Sequence, residues 1–470
     1  MTDPLWTARE AMAATGGSLT GDDHWTADGV SIDTRTIRPN DLFVALTDQR
    51  DGHDFVPDAM ARGAAAALVE RTDGLPGNLL SADTALDGLR ALGRAARDRS
   101  DAIRVAVTGS VGKTSVKEAL AAVFRSVDTA HWSERSYNNH WGVPLTLARM
   151  PKDTRRAVFE MGMNHAGELR DLTGLVRPHI ALITKVAPAH LEFFGSVKDI
   201  AEAKAEVYEG LMPDGVAVYP ADDEFADLFL DHARQTAAGF ILDFGLDRSA
   251  AVRVTNFETT PGGGRGRVSV LGKVLDFQIG ASGAHWAWNA AAIFATSIAA
   301  GVDAEAVAAA LPAVGAESGR GQVHSIDLGA ATCRLIDESY NANPVSMAAA
   351  IETLGAIQPA TGGRRIAVLG EMLELGESGP DLHAGLAEAL TAAKADLVVT
   401  SGRLMKHLHD ALKGQIETHY ASDPDAARDF ILDQLRDGDV VMVKGSNASG
   451  VSRVARAMLA VTPHTANGGK

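Results

Sequence analysis

Residues 104–120 read RVAVTGSVGKTSVKEAL, and this stretch decides the fold. Val105, Ala106 and Val107 form a short apolar run, which predicts a buried strand. The run leads into Thr108-Gly109-Ser110-Val111-Gly112-Lys113-Thr114, and a helical pattern follows. Strand, glycine-rich turn and helix start, in that order, make a cradle for phosphate. The two glycines let backbone N–H groups close around an anion. Lys113 adds a charge that can reach terminal phosphates, and Thr114 offers a hydroxyl to magnesium. Val107 stands where the longer P-loop pattern has its first glycine, so this is the shorter TGxxGKT form.

Working outward, 470 residues predict about three domains at ~150 residues each. Hydrophobic residues make up 46% of the chain, enough for substantial cores. A net charge of −16 argues against nucleic-acid or anionic-membrane partners, so an anionic substrate needs local basic pockets. Cys333 is the single cysteine, which rules out an intrachain disulfide and fits a reducing compartment. The start, MTDPLWTARE, has neither the basic nor the apolar region of a signal peptide. The longest mostly apolar run, 290–302, is short of the ~20 residues that span a bilayer. A cytoplasmic monomer acting on small molecules is expected.

Residues 1–101 read as a small α/β unit. Strand-like runs flank a turn at Pro39-Asn40-Asp41, a helix is predicted over 54–62, a buried strand over 64–70 and a helix over 85–99. Residues 102–314 hold the cradle, with further strands predicted over 157–160, 180–186 and 216–219 and helical patterns between them. This is the rhythm of a parallel sheet. Residues 249–278 alternate and contain a GGGRGR turn, which predicts added hairpins, and 285–300 predicts a long helix. The stretch 312–321 reads as a hinge. Residues 315–470 repeat the strand–helix rhythm at 366–369, 397–400 and 440–443, which predicts a second doubly wound sheet. The end from Thr462 is expected to fray.

Several residues then become candidates. Glu160 ends a strand in the cradle's domain and could bind the nucleotide's magnesium, though an ordinary strand-end acid reads the same way. His190 follows the next strand; a lone histidine is usually structural, and a neutral imidazole there could also ligate a metal. Over 197–211, read as one helix, Lys204 falls beside the apolar stripe of Ile200, Ala203, Val207 and Leu211. Its stem could simply cover the core. Alternatively its amine is desolvated and often neutral, able to take up carbon dioxide as a carbamate. His285 and Asn289 share a helix face. Arg320 lies near the hinge, and Asp337 opens the polar loop DESYNANP, which includes Asn341 and Asn343. Ser31, Asp33, Thr34 and Arg35 form a polar loop in the first unit, and Asn138 and Asn139 form another in the second.

Taken together, TGSVGKT, Glu160-Met161-Gly162, His190, EAKAEVYEGL, His285 with Asn289, Arg320 and DESYNANP resemble the Mur ligases in order and spacing. These are three-domain, ATP-dependent amide-forming enzymes of peptidoglycan synthesis. DESYNANP, YNNHWGVPLTL and VLGEMLELG are similar to the branch that uses UDP-muramoyl-tripeptide and D-alanyl-D-alanine. The resemblance implies that Thr108–Thr114 bind ATP phosphates and that Thr114 holds one magnesium ion. It implies that Glu160, His190 and carbamylated Lys204 hold a second. Asn289, Arg320 and Asp337 would contact the nucleotide, the last two on closure of the third domain. Ser31, Asp33, Thr34 and Arg35 match a uridine-nucleotide loop, Asn138 and Asn139 a muramoyl-peptide loop, and Asn341 and Asn343 the dipeptide's position. Lys185 and Ala187 depart from the family, which has Asn and Gly there, and Lys185 brings a positive charge toward the implied metal. Rival readings are a folylpolyglutamate synthase-like ligase and a non-ligating P-loop ATPase.

Overall fold

The computed structural model describes residues 3–188, 191–247, 249–260, 263–316, 318–329 and 331–461. His190 and the end from Thr462 lie outside the described residues. The chain folds as three α/β units, each built on its own sheet.

The first sheet comprises β1 (Ser18–Thr20), β2 (Gly29–Ser31), β3 (Asp41–Val44), β4 (Ala66–Val69) and β5 (Leu79–Ser81), in the order β1-β5-β4-β3-β2. All neighbours are parallel except β1 and β5. The helix predicted over 54–62 begins instead as a 3-10 turn, Gly52–Phe55, with α-helix only over Val56–Ala61. Asp51 caps that turn by accepting from the backbone N–H of His53, which draws the chain into the tighter winding. Helix α1 (Ala85–Asp98) starts where Thr84 accepts from the Asp87 N–H.

The central sheet comprises β6 (Ile103–Thr108), β7 (Ala130–Trp132), β8 (Arg156–Glu160), β9 (Ile180–Ile183), β10 (Gly215–Pro220), β11 (Ala238–Gly245), β12 (Val252–Thr260), β13 (Gly263–Val270) and β14 (Lys273–Ile279). Its order is β14-β13-β12-β11-β10-β9-β6-β8-β7. The strands from β7 across to β12 are parallel, and β13 and β14 extend the sheet as antiparallel hairpins. Strand β6 is central and covered on both faces, so Val105, Ala106 and Val107 in its middle are apolar without alternation. Helix α2 (Lys113–Val127) lies on one face. Its Val116, Leu120, Val123 and Phe124 are fully buried, worth roughly 1.5–3 kcal/mol each in transfer terms. Helix α3 (Gly142–Ala148) bridges two cores: Val143 and Leu147 stay in the central one, while Leu145 and Ala148 join Trp6 of the first, whose Nε1 donates to Ala148 O at 2.9 Å.

Helix α4 (Val197–Ala205) stops short of the predicted 211, and the chain tightens into a 3-10 turn over Glu206–Gly210. Glu206 is drawn inward there to accept from the Gly167 N–H through both oxygens. Helix α5 (Trp286–Ala299) packs against α2, and Asn289 sits in its first turn. The third sheet comprises β15 (Gln322–Asp327), β16 (Thr332–Glu338), β17 (Arg365–Gly370), β18 (Leu397–Ser401), β19 (Glu417–Ala421) and β20 (Val440–Lys444), in the order β15-β16-β20-β17-β18-β19. Only β15 runs antiparallel. Helix α6 (Pro344–Ala356) follows the DESYNANP loop. No helix among the described residues is long and apolar enough to cross a membrane.

Candidate active site

The loop between β6 and α2 is strapped from behind by residues 184–187. The Ser110 N–H donates to Lys185 O at 2.7 Å and Ser110 Oγ to Ala187 O at 2.9 Å, while Thr184 Oγ1 donates to Val111 O at 2.6 Å. This is why β9 ends at Ile183 and not at the predicted 186: the next residues turn away to brace the loop. Gly109 has φ +146° and a side chain there would lie 2.0 Å from Thr184 Oγ1. Gly112 has φ +85°, and a Cβ would meet Asn289 Oδ1 at 2.9 Å. Both glycines are therefore required by conformation and by space. The result is a narrow backbone cup at a helix N-terminus, suited to phosphate.

Cations gather around this cup. Lys113 Nζ donates to Gly109 O at 2.7 Å, closing the loop on itself. Burial lowers the Lys113 pKa, and the charge of Arg320 adds to that effect, against an opposing pull from Glu160. Lys204 is 2% exposed, and its pKa is lowered well below the usual lysine value, first by burial and then by the charge of Lys113. Partly desolvated positive charges that repel one another are stabilised by an anion placed among them.

Glu160 is 1% exposed at the end of β8. Its Oε2 accepts from Thr114 Oγ1 at 2.9 Å and its Oε1 from Asn138 Nδ2 at 2.8 Å. A hydroxyl and a buried carboxylate at the mouth of a phosphate cup are suitable magnesium ligands. Of Glu160, His190 and Lys204, the described Glu160 and Lys204 are both within the electrostatic reach of Lys113. Among the described residues the only cluster of three His, Cys, Asp or Glu side chains with metal-ligand spacing is Asp22, Asp23 and His24, exposed in the first unit. The positive charge of Lys185 rests on an aromatic face: Nζ lies 4.8 Å from the Trp288 ring centroid, and Trp288 Nε1 donates to Thr184 O.

The third unit meets the central unit through Arg320, whose charge is felt at Lys113 of the cup. Its guanidinium stacks on Tyr340 at 4.1 Å and donates to Ser136 Oγ of the central unit at 3.4 Å. Asp337, 4% exposed, accepts from the Gly319 N–H and from the N–H and Oγ of Ser339, so it fixes the turn that carries Arg320. The His285 ring keeps solvent access, and its pKa is lowered, first by desolvation, with Glu338 and Lys444 of the third unit among the charges that act on it. Lys444 Nζ donates to Asn341 O at 3.0 Å. The side-chain oxygens of Asn343 and Asn139 are used within the fold. Asn343 Oδ1 caps α6, and Asn139 Oδ1 accepts from the Trp141 and Gly142 N–H groups at the start of α3.

Ser31 ends β2 of the first unit, and Asp33, Thr34 and Arg35 follow it. Ser31 Oγ donates to Asp33 O, and Arg35 forms a bidentate pair with Asp33. This pairing holds the Asp33 carboxyl below its usual range, with a contribution from Arg135. Arg135 lines a cleft of about 560 Å³ between the first and central units, together with Asp28, Arg38, Asp41, Tyr137 and Arg149. Sequence reasoning passed over Arg149, whose Nε donates across the cleft to Val30 O at 2.6 Å. It also missed Lys117, fully buried on α2. Lys117 lies four residues from Lys113 and three from Leu120, on an apolar face, so the stripe argument applied to Lys204 would have found it.

Three Mur ligase family models match the chain: "Mur ligase family, catalytic domain" over residues 26–129, "Mur ligase middle domain" over 107–297 and "Mur ligase, glutamate ligase domain" over 319–447. The UDP-N-acetylmuramoyl-tripeptide–D-alanyl-D-alanine ligase of Escherichia coli is 35% identical over 447 residues, covering 94% of this chain and 96% of its own. A crystal structure of MurF from Acinetobacter baumannii superposes with a TM-score of 0.83 at 28% identity, over 97% of this chain and 99% of that one. The MurF ligase of Thermotoga maritima in complex with ADP gives a TM-score of 0.76 at 26% identity, over 92% and 96%. With sequence agreement along nearly its whole length, the same three-unit fold and a phosphate cup in the central unit, the chain belongs to the Mur ligase family.

Proposed function

We propose that this chain is an ATP-dependent ligase that joins D-alanyl-D-alanine to UDP-muramoyl-tripeptide, yielding the UDP-muramoyl-pentapeptide precursor of peptidoglycan. The observation that carries the reading is the cup at Gly109–Thr114, with Lys204 and Arg320 in electrostatic reach of its Lys113, in a chain that aligns with ligases of this specificity over more than nine-tenths of its length. The substrates are small molecules used in the cytoplasm, and one chain carries all three substrate sites.

The chemistry follows from charge. A peptide carboxylate must attack the terminal phosphate of ATP, and the two repel. Lys113 would grip that phosphate, and backbone N–H groups of 109–114 the phosphates behind it. Thr114 and Glu160 would hold magnesium, and Glu160, His190 and Lys204 a second ion. The ions, when bound, would offset the charge of carboxylate and triphosphate together. Asn138 keeps the Glu160 carboxylate oriented. Lys204 fits the carbamate role because its amine is buried and biased toward the neutral form: the lone pair on Nζ adds to carbon dioxide and one proton is lost. The carboxylate oxygen takes the phosphoryl group as ADP leaves. The dipeptide amine, brought in on the third unit near Asn341, then attacks the acyl carbon and phosphate departs. Asn289 would contact the nucleotide beside Gly112. Arg320, on the turn fixed by Asp337, is in electrostatic reach of Lys113, and ordering of the third unit over the nucleotide would shield the acyl phosphate from water. The loop at Ser31–Arg35 and the adjoining cleft would take the uridine-nucleotide end.

The test is product mass. Protein, ATP, magnesium, UDP-muramoyl-tripeptide and D-alanyl-D-alanine should yield the pentapeptide, with no product when any one component is omitted. ATP hydrolysis with no new amide would favour the P-loop ATPase reading instead.

A further inference from the structure

Lys117 is fully buried on α2, one turn beyond Lys113, and the chemistry above leaves it without a role. An ammonium has three N–H donors and is costly to bury unless they are used. Lys117 Nζ donates to Ser133 O at 2.8 Å and Arg135 O at 2.6 Å, and it pairs with Glu118 Oε1 at 2.5 Å. Glu160 Oε2 lies 4.0 Å away.

The two carbonyls belong to residues two apart. In an extended strand such carbonyls are ~7 Å from each other, too far to share one partner at hydrogen-bond distance. The backbone of 133–135 therefore curls around the ammonium, and Arg135 takes the left-handed φ of 52°, unfavourable for a residue with a Cβ. The residues that follow serve each part of the site. Ser136 Oγ accepts from Arg320, Tyr137 lines the cleft between the first and central units, and Asn138 holds Glu160.

We propose that Lys117 is a positioning residue for the ligation reaction: it ties the phosphate-gripping helix to the 133–139 loop and so sets the pose of Asn138, Tyr137 and Ser136 toward the muramoyl peptide. This inference rests on the ligase reading.

The experiment compares wild type with Lys117→Met, which keeps the stem and removes the donors. It measures kcat, KM for UDP-muramoyl-tripeptide, thermal midpoint and ADP affinity. Lys117→Met should raise the muramoyl-peptide KM about tenfold or more and lower kcat, with ADP affinity within about threefold of wild type. The Lys117→Met/Asn138→Ala double variant should cost no more than the worse single variant, because both act through one loop. Lys117→Gln retains two N–H donors, folds if Lys117→Met does not, and should shift KM in the same direction by less. A lowered thermal midpoint with muramoyl-peptide KM unchanged, or a loss of ADP affinity equal to the loss of ligation, would overturn the proposal. A wild-type chain that makes no pentapeptide would overturn the ligase reading itself, a distinguishable result.

Discussion

Thr114 Oγ1 donates to Glu160 Oε2 at 2.9 Å, joining the first turn of α2 to the end of β8, the parallel neighbour of β6. The carboxylate is held on its other oxygen by Asn138, so its two oxygens have fixed directions. Such a group is prepared to receive a cation without rearranging.

Glu160→Gln tests this. The amide keeps one acceptor but presents an N–H₂ to a neighbour that also donates. The folded variant should lose ~100-fold or more in kcat/KM, about 2.7 kcal/mol of transition-state stabilisation, and need more magnesium for half-maximal rate. A magnesium titration of ligation rate checks it. An unchanged half-saturation point would remove Glu160 from the metal site.

Lys204→Ala should abolish most ligation, and added short carboxylates should restore part of it by standing in for the carbamate. Lys204→Arg should be inactive as well, because a guanidinium stays protonated. Activity of Lys204→Ala with and without acetate is the measurement. Full activity without acetate would rule out the carbamate.

Gly109→Ala places a methyl 2.0 Å from Thr184 Oγ1 and forces an L-residue to φ +146°. The ADP-induced rise in thermal midpoint should vanish in this variant. Pairing it with Thr184→Ala relieves the contact but not the backbone strain, so ADP binding should return only in part. Full return would mean that space alone, and not conformation, requires the glycine.

Two histidines make the fold sensitive to acid. Burial lowers His131 to about 4, reinforced by the charge of Arg149, and burial with Arg104 lowers His179 to about 4. Below the unfolded value near 6.5 the unfolded chain binds protons that the folded chain refuses. Stability is therefore fully present above about pH 6.5 and is lost as pH falls toward 4, on the order of 3 kcal/mol for His131 and less for the half-buried His179, whose charge water screens. His179 Nδ1 accepts from the Arg104 N–H at 3.1 Å, an acceptor that protonation removes. Urea midpoints should fall between pH 7 and 5, and His179→Asn should flatten the fall. Equal slopes for variant and wild type would contradict this.

The cup was legible in the sequence because its parts are local: an apolar strand, two glycines and a helix start follow one another. Lys204 was legible too, since its place on the stripe rests on Ile200 in the same helix, although Val207, beyond Ala205, belongs to a 3-10 turn. Strand β7 has three half-buried residues and β15 is a polar edge strand, so neither carries a strong strand pattern. The seating of one face of α3 against the first core involves Trp6, 142 residues from its hydrogen-bond partner Ala148, which no local pattern encodes. The capping by Asn139 and Asn343 likewise became visible only with the backbone in place.

The most direct measurement is phosphate release from ATP by the purified chain, with each substrate omitted in turn. The account predicts one phosphate per amide formed, and release that requires both UDP-muramoyl-tripeptide and D-alanyl-D-alanine. Release at the same rate with neither present, or no amide with both, would contradict it.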